Sequence, residues 1–343
     1  MRGCTRRRTC MAWALPLALA SCLAAATEPA GSAPQVPAGH AGAPVPGQAV
    51  IAPGQRVRAT AIANAATSPE PAVALAATGG DFSVVTLNLY HDRDDWPRRR
   101  VQIVETLRLL QPDAVALQEV LEHPDLPNQA AWLAHELGYA WHFFTRDPPS
   151  RSRRYGNALL TRAPAVLDGE TLLHPLDDHR VAGMVRIMVG QRPVNIYVTH
   201  LHWTPEGDAI RARQVEDLVA WIDATAGEAP SLVAGDFNAG ADAPELAPLR
   251  ARFDDAWARL HPAATDAGSS TLNPHYFPQP ARIDHVHLQR GRLKPVTAAL
   301  LFTAPDADGA WASDHRGLLV GVELEEAADP STAAPVRDAA HRP

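Results

Sequence analysis

Apolar and polar positions along residues 81–324 form blocks that predict a mixed α/β domain. Short apolar runs are typical of strands, and they occur at "FSVVTLN", "DAVALQ", "NALLT", "VNIYVTH", "SLVAG", "RIDHVHL" and "GLLVGVEL". Apolar steps of three and four predict helices, and they occur at Ile103/Leu107/Leu110, Ile210/Leu218/Ile222 and Leu246/Leu249/Phe253/Trp257/Leu260. Interleaved strands and helices indicate α/β or α+β architecture, with helices covering a sheet-rich core.

The segments on either side of this block have a different composition. Residues 22–80 are dominated by Ala, Pro and Gly, and residues 325–343 have the same character. Such segments bury too little apolar surface to offset the entropy of ordering them. They predict a disordered linker before the domain and a disordered tail after it.

The N-terminal residues 1–21 predict a secretory signal, because four arginines precede a short apolar run. The sequence "LASC", ending at Cys22, resembles a bacterial lipoprotein processing site. The alternative is ordinary cleavage after Ala24–Ala26. We therefore expect an exported protein, anchored to a membrane through lipidated Cys22. Leu23 in place of an aspartate favours the outer membrane of a cell envelope.

Composition, net charge and cysteine positions exclude several classes of protein and of site. The 343 residues are 46% hydrophobic and 20% charged, as in soluble globular proteins. The formal net charge of −7 is not the basic footprint of a general nucleic-acid binder. All three cysteines fall at positions 4, 10 and 22. The predicted domain is therefore expected to have no disulfide, no thiol nucleophile and no cysteine-ligated zinc.

Polar or ionisable residues lie at nearly every predicted strand end. They are Asn88, Glu119, Asn157, His200, Asp236, Asn238, Asp284, Asp314 and His315. Any one of them alone is better explained as a turn or cap. Convergence of the strand ends on one rim explains the whole set, and ligands commonly bind at such rims.

The residue types at this rim indicate a reaction class. Carboxylates and amides without thiolates suit Mg²⁺, Mn²⁺ or Ca²⁺. Histidines serve as acid, base or oxyanion partner near neutral pH. A divalent metal with these groups fits phosphoester hydrolysis by an activated water.

The ordered motifs resemble the endonuclease/exonuclease/phosphatase superfamily, which includes DNase I-like nucleases and sphingomyelinases. They are Asn88, "LQE" 117–119, "YGNALL" 155–160, "THL" 199–201, "GDFN" 235–238, "RIDHV" 282–286 and "SDH" 313–315. The resemblance implies a four-layer α/β/β/α sandwich, in which two packed mixed sheets are flanked by helices and the site lies at one rim.

The resemblance also implies roles on the metal and water side of the site. Glu119 would bind the cation, Mg²⁺ or else Mn²⁺ or Ca²⁺, with Asn88 and Asp314 as further ligands or close supports. Asp236 would orient or deprotonate the attacking water, and Asn238 would hold the water or a phosphoryl oxygen.

On the phosphate side, the resemblance implies that His200 donates to the phosphate. Asp284 would fix the tautomer of His315 and favour its charged form. Either Asp236 or His315 is then the general base. Asn157 would support the site from behind, and Tyr155 would contact substrate.

Several neighbouring residues are predicted to lie outside the chemistry. The loop "HDRDD" 91–95 is predicted as a solvated loop, with a second metal site as the alternative. His285 is expected on the sheet face opposite Asp284. Arg211 and Gln214 match a helical R-x-x-Q of the family and are interpreted as structural, and His202 is interpreted as peripheral.

The expected substrate is a phosphodiester. "QEVLEH" lacks the lysine of abasic-site endonucleases, and "ARIDHV" lacks the arginine-bearing extension of inositol-phosphate 5-phosphatases. A lipid head group, extracellular nucleic acid or a small phosphoester remain as substrates for an envelope-tethered monomer. A binding lipoprotein without catalysis is the contrasting hypothesis.

Overall fold

The computed structural model describes residues 56–59 and 79–326. The predicted signal peptide, lipidated Cys22, most of the linker and nearly all of the tail lie outside the described residues. Within the part that is described, no helix combines the length and apolarity needed to cross a bilayer.

The described chain forms thirteen strands and six α-helices. The strands are β1 (Arg56–Ala59), β2 (Phe82–Asn88), β3 (Ala114–Glu122), β4 (Ala140–Phe144), β5 (Arg154–Thr161), β6 (Leu167–Leu172), β7 (Val181–Val189), β8 (Arg192–His200), β9 (Ser231–Asp236), β10 (Phe253–Asp255), β11 (Asp284–Gln289), β12 (Leu293–Leu301) and β13 (Gly317–Leu324). The helices are α1 (Trp96–Leu110), α2 (Gln129–Leu137), α3 (Asp208–Thr225), α4 (Ala247–Arg250), α5 (Ala256–Leu260) and α6 (Asp266–Ser269).

These strands form two mixed sheets. The first sheet has the order β1-β6-β7-β8-β9-β11-β10, and the second has the order β12-β13-β2-β3-β5-β4. Most neighbours are antiparallel, but β2 pairs with β3 and β8 pairs with β9 in parallel. The carboxyl ends of paired parallel strands lie side by side, which places the residues after β2, β3, β8 and β9 at one rim.

Three apolar cores separate the layers. One lies between the sheets and contains inward residues such as Val84, Leu159, Val198 and Leu232. A second lies between β2, β3 and helices α1 and α2, and a third between β8, β9 and helix α3. The central strands are covered on both sides by apolar layers. They therefore need no solvent-exposed polar side, which accounts for the mainly apolar runs in the sequence. The predicted four-layer sandwich is confirmed.

Two of the three predicted helices are confirmed. Helix α1 begins after Asp95, whose side chain caps the backbone N–H of Arg98 at 3.2 Å. It buries Ile103 and Leu107 against the second sheet. Helix α3 buries Leu218 and Ile222 against the first sheet.

The predicted single helix through Leu246–Leu260 is wrong. It is split by β10, whose Phe253 and Asp255 pair with Gln289 and His287 of β11. The apolar spacing continues across the break because Phe253 is buried from a strand and Trp257 from α5. Pairing at the sheet edge overrides the helical pattern.

Four residues of the predicted linker form a strand. Residues 56–59 form β1, which pairs antiparallel with β6 from Arg56↔Glu170 to Ala59↔Leu167. The stretch "RVRA" interrupts a Pro- and Gly-rich segment with residues that tolerate extended backbone. The open edge of β6 supplies its hydrogen-bond partners.

Candidate active site

The rim of the sandwich brings together polar residues from both sheets. Asn88 ends β2 beside Gln118 of β3, and His200 ends β8 beside Asp236 of β9. Asp236 in turn pairs with Asp284 at the start of β11. The turn before β13 carries Asp314 and His315 to the same place.

Unusual backbone conformations occur at or beside two of the carboxylates, Glu119 and Asp236. A bulge interrupts the β3–β5 register between Leu117 and Val120, and Glu119 there adopts a φ of 56°. This left-handed conformation is unfavourable for a glutamate and is held by its surroundings. Gly235 has a φ of 155°, and a Cβ there would lie 2.1 Å from the carbonyl oxygen of Thr199. Glycine before Asp236 therefore lets two neighbouring strands approach closely.

Asp236 is the hub of the site. Its Oδ2 accepts a hydrogen bond from Asn88 Nδ2 at 3.1 Å and lies 3.4 Å from His200 Nε2 and 4.0 Å from His315 Nε2. Its Oδ1 accepts from the backbone N–H of Asn238 at 2.9 Å. Burial and the nearby Asp284 carboxylate raise the pKa of Asp236 to about 7.

Asp284 and His315 form a close ion pair. The ring Nδ1 of His315 donates to Asp284 Oδ2 at 2.8 Å, which leaves Nε2 facing Asp236. Burial alone would lower the pKa of His315, but Asp284, Asp236 and Asp314 together raise it to about 10. His315 is therefore an imidazolium at neutral pH.

His200 differs from His315 in charge. It is buried, and its Nδ1 lies 3.4 Å from the Tyr155 hydroxyl. Burial, followed by the positive charge of Arg180, holds the pKa of His200 well below its ordinary value. Burial likewise raises the pKa of Tyr155 well above its usual value, so its hydroxyl keeps its proton. The site thus contains one neutral and one charged histidine.

The residues predicted to hold a cation lie beside this network. Burial and the neighbouring Glu119 carboxylate raise the pKa of Asp314 to about 6, although His315 opposes the shift. Ser313 Oγ bridges the Asn88 carbonyl at 2.7 Å and Asp314 Oδ1 at 3.3 Å. The carboxylates of Glu119 and Asp314 and the amide of Asn88 are the kind of oxygen donors that hard divalent cations prefer. The donor set fits such an ion.

A second grouping of Asp236, Asp284 and His315 has ligand atoms within 4.8 Å of one another. It already contains a cation, because His315 is protonated and hydrogen-bonded to Asp284. The Glu119 carboxylate lies outside this grouping, and its Oε2 is 2.8 Å from His91 Nε2.

The two remaining predicted asparagines brace the site. Asn238 has a φ of 49°, and its Nδ2 donates to the Leu201 carbonyl at 3.1 Å. Asn157 on β5 donates from Nδ2 to the Val181 carbonyl on β7 at 2.9 Å, and so ties one sheet to the other.

Sequence reasoning missed two residues. The loop at 91–95 is not simply solvated, because His91 Nε2 lies 2.8 Å from Glu119 Oε2 and the His91 ring stacks on Tyr155. The second is Arg180, which is buried beside Tyr155 and His200 with its Nη1 unpaired. Residue type gave no signal for Arg180, since it follows the polar run "LDDH" and resembles a surface charge.

The structural roles expected for Arg211 and Gln214 and the position expected for His285 are confirmed. Arg211 donates to Glu245 and to the Thr204 carbonyl, and Gln214 accepts from the backbone N–H of His202. Both hold the loop that follows β8. His285 is buried on the face opposite Asp284, against Phe237.

We expect Asp284→Asn to lower the pKa of His315 below neutrality in metal-free protein, because burial then acts without its main compensating charge. Histidine NMR titration measures this directly. Loss of the buried pair should also lower the free energy of unfolding at pH 7 by about 3 kcal/mol, measured by urea denaturation.

The raised pKa of His315 determines how the free energy of unfolding changes with pH. The stabilisation is fully present below about pH 6.5, the unfolded value for histidine, and is lost as pH rises through about 10. The wild type and Asp284→Asn should therefore converge in stability between these limits. Asp308→Asn, which removes an exposed partner of Arg98, is the control and should change little. A stability difference independent of pH would contradict the assignment.

Comparison with solved structures agrees with this fold. A Danio rerio TDP2 structure complexed with single-strand DNA product is 18% identical, covers 70% of this chain and 98% of its own, and has a TM-score of 0.60. A Bacteroides vulgatus endonuclease/exonuclease/phosphatase is 18% identical, with coverages of 71% and 99% and a TM-score of 0.59. The human Nocturnin catalytic domain with bound sulfate is 22% identical, with coverages of 71% and 93% and a TM-score of 0.57.

No curated protein sequence matches the chain significantly. The sequence profile of the Endonuclease/Exonuclease/phosphatase family matches residues 85–315, from Val85 on β2 to His315. That range includes the metal-donor, carboxylate and histidine positions of the rim. The chain belongs to the Endonuclease/Exonuclease/phosphatase family.

Proposed function

We propose that this protein is a divalent-metal-dependent phosphodiesterase in which water attacks phosphorus. Family members are hydrolases that act on phosphoesters and are generally metal-dependent. The observation that carries the proposal is the setting of Asp236, a buried carboxylate contacted by Asn88, His200 and His315 beside the oxygen donors Glu119 and Asp314.

Asp236 is the general base in this proposal. Asp284 already holds His315 in its protonated form, so His315 has no lone pair free to take a proton from water. A carboxylate whose pKa is raised towards neutrality accepts a proton and returns it within one turnover. Asn88 and the backbone N–H of Asn238 orient its two oxygens.

The phosphoryl oxygens would be met by hydrogen-bond donors. Nε2 of protonated His315 offers a charged donor, and neutral His200 offers a second ring N–H. The unpaired Nη1 of Arg180 and the Tyr155 hydroxyl extend this set. Preorganised donors aimed at developing negative charge contribute a large part of such catalysis.

Glu119, Asn88 and Asp314 would hold the divalent cation, Mg²⁺ by preference or else Mn²⁺ or Ca²⁺. When bound, the ion would neutralise charge on the phosphate and act as a Lewis acid. His91 fixes the Glu119 carboxylate from the other side, and its contact, against the effect of burial, lowers the pKa of Glu119 below its ordinary value.

A phospholipid head group is the substrate we favour. The loop after β8 carries Trp203 with 65% of its surface exposed, and the loop before β7 carries Leu176 with 43% exposed. Asp178 Oδ1 and His202 Nδ1 lie 2.8 Å apart and join the two loops. Exposed aromatic and aliphatic side chains beside a site suit a membrane interface, and the net charge of −7 does not favour nucleic acid.

We also propose that Cys22 is lipidated and that the enzyme is a monomer on the cell envelope, with the Ala- and Pro-rich segment as tether. The support is the sequence "LASC" and the composition of residues 22–80. An anchored enzyme meets membrane substrate without diffusing through solution.

Hydrolysis of bis-p-nitrophenyl phosphate should require divalent metal and stop with EDTA. Asp236→Ala, His200→Ala and His315→Ala should each lower turnover by about 10²-fold or more, the scale for acid–base and oxyanion groups. His202→Ala is the matched control, because its ring contacts Asp178 and Thr204 outside the network. Full turnover in all three variants would reject the assignment of these residues, whereas a wild type without metal-dependent hydrolysis would favour a binding protein without catalysis.

Trp203→Ala should lower hydrolysis of phosphatidylcholine or sphingomyelin vesicles by about tenfold, the effect of one large apolar side chain losing burial. Its turnover of soluble bis-p-nitrophenyl phosphate should not change. Trp141→Ala, which removes an exposed tryptophan from the edge strand β4, is the control. Loss confined to single-stranded DNA, where tryptophan stacks on bases, would instead identify a nuclease.

Radiolabelled palmitate should be incorporated into the protein in bacterial cells and lost in Cys22→Ala. Cys10→Ala, which removes another cysteine of the leader, should retain the label and controls for expression. Label that persists in Cys22→Ala would refute the anchor.

A further inference from the structure

The outer face of the first sheet, away from the catalytic rim, carries a second cluster of ionisable groups. His285 and His287 alternate with Asp284 on β11, so both point to the face opposite the catalytic carboxylate. Asp255, at the end of β10, pairs with His287 in the strand register. All three side chains are buried, and the Phe237 ring packs against both imidazoles.

Arg282 supplies a cation to two members of the cluster. Its Nη1 donates to Asp255 Oδ2 at 2.8 Å and to His285 Nδ1 at 2.6 Å. His285 Nε2 donates to the Ala239 carbonyl at 2.9 Å, so Nδ1 carries a lone pair. A carboxylate oxygen and an imidazole lone pair, 3.0 Å apart, therefore face the same point.

His287 lacks the partners that a buried imidazole needs. Its side chain is fully buried, and neither ring nitrogen has a hydrogen-bond partner. An unpaired buried polar group costs free energy, and a neutral imidazole is the form that binds metals.

We propose that Asp255, His285 and His287 form a zinc site, at which the ion replaces the Arg282 guanidinium. One ligand atom from each residue lies within 4.8 Å of the others. Two nitrogens and one carboxylate oxygen suit Zn²⁺ and not Mg²⁺, which prefers oxygen alone. The site would satisfy His287 and differs in donor type from the oxygen-rich catalytic rim.

A cavity of about 540 Å³ gives the ion a route and a fourth position. Arg282, Trp257, Ala258 and His261 are among its lining residues. The Arg282 side chain lies between this cavity and Asp255, and it moves into the cavity when the ion takes its place. A water from the cavity then completes four-coordination.

The zinc site would stabilise the strand that positions His315. His285 directly follows Asp284 on β11, and β11 is flanked by β9 and β10. A bound ion joins β10 to β11 through side chains and so restrains Asp284. Zinc therefore acts on the architecture behind the rim and not on the phosphate.

Titration of the full chain with Co²⁺ and then Zn²⁺ tests this site. We expect the visible absorption of four-coordinate Co²⁺, its displacement by Zn²⁺, and a rise in Tm. His285→Leu and His287→Leu should weaken binding by about 100-fold or more, beyond the usual effect of supporting groups. Glu119→Gln, at the catalytic rim, should bind Co²⁺ with the same spectrum and affinity.

His261→Leu is the matched control, because this histidine lines the same cavity but hydrogen-bonds to the Ala298 carbonyl. Arg282→Gln removes the competing cation and should bind Zn²⁺ more tightly, with a larger rise in Tm. This variant provides a second test if a histidine variant does not fold. The site is overturned if the spectrum is absent, or if Glu119→Gln abolishes it while the histidine variants keep it.

Discussion

The structure depends on compensating buried negative charge where the two sheets meet. Asp236 and Asp284 lie side by side on neighbouring strands, where burial penalises both carboxylates. The groups that compensate this charge come from the second sheet. Asn88 ends β2, and His315 lies in the turn before β13. The polar groups of the rim therefore also hold the two sheets together.

Much of this arrangement follows from the sequence because strand ends carry their own signal. The strands that end at Asn88 and Asp236 are buried along their whole length and mostly apolar, since both faces are covered, and each ends in a polar residue at the rim. Pattern reasoning failed where a long-range partner decides the outcome. Phe253 fits a helical stripe, but it belongs to β10 because β11 offers hydrogen bonds there. His91 and Arg180 have ordinary local context, and their roles depend on Glu119 and Tyr155 lying nearby in space.

The short strand β11 carries ionisable side chains on both of its faces. Its inward carboxylate, Asp284, is hydrogen-bonded to His315, whereas its outward rings, His285 and His287, are buried against Phe237. Strand alternation separates these groups although they are adjacent in the chain. The neutral, unpaired ring of His287 is the local conflict that points to a missing ligand on that face.

The hydrogen bond from Ser313 to the Asn88 carbonyl joins positions 225 residues apart. Closing a loop of this length costs conformational entropy before the contact can contribute to stability. β13 follows almost directly after His315 and pairs with β2, so the pairing of the final strand and the polar contacts of the rim reinforce each other. A polypeptide that ends before Ser313 would lack Asp314 and His315 at the rim together with β13, and would lose both contributions at once.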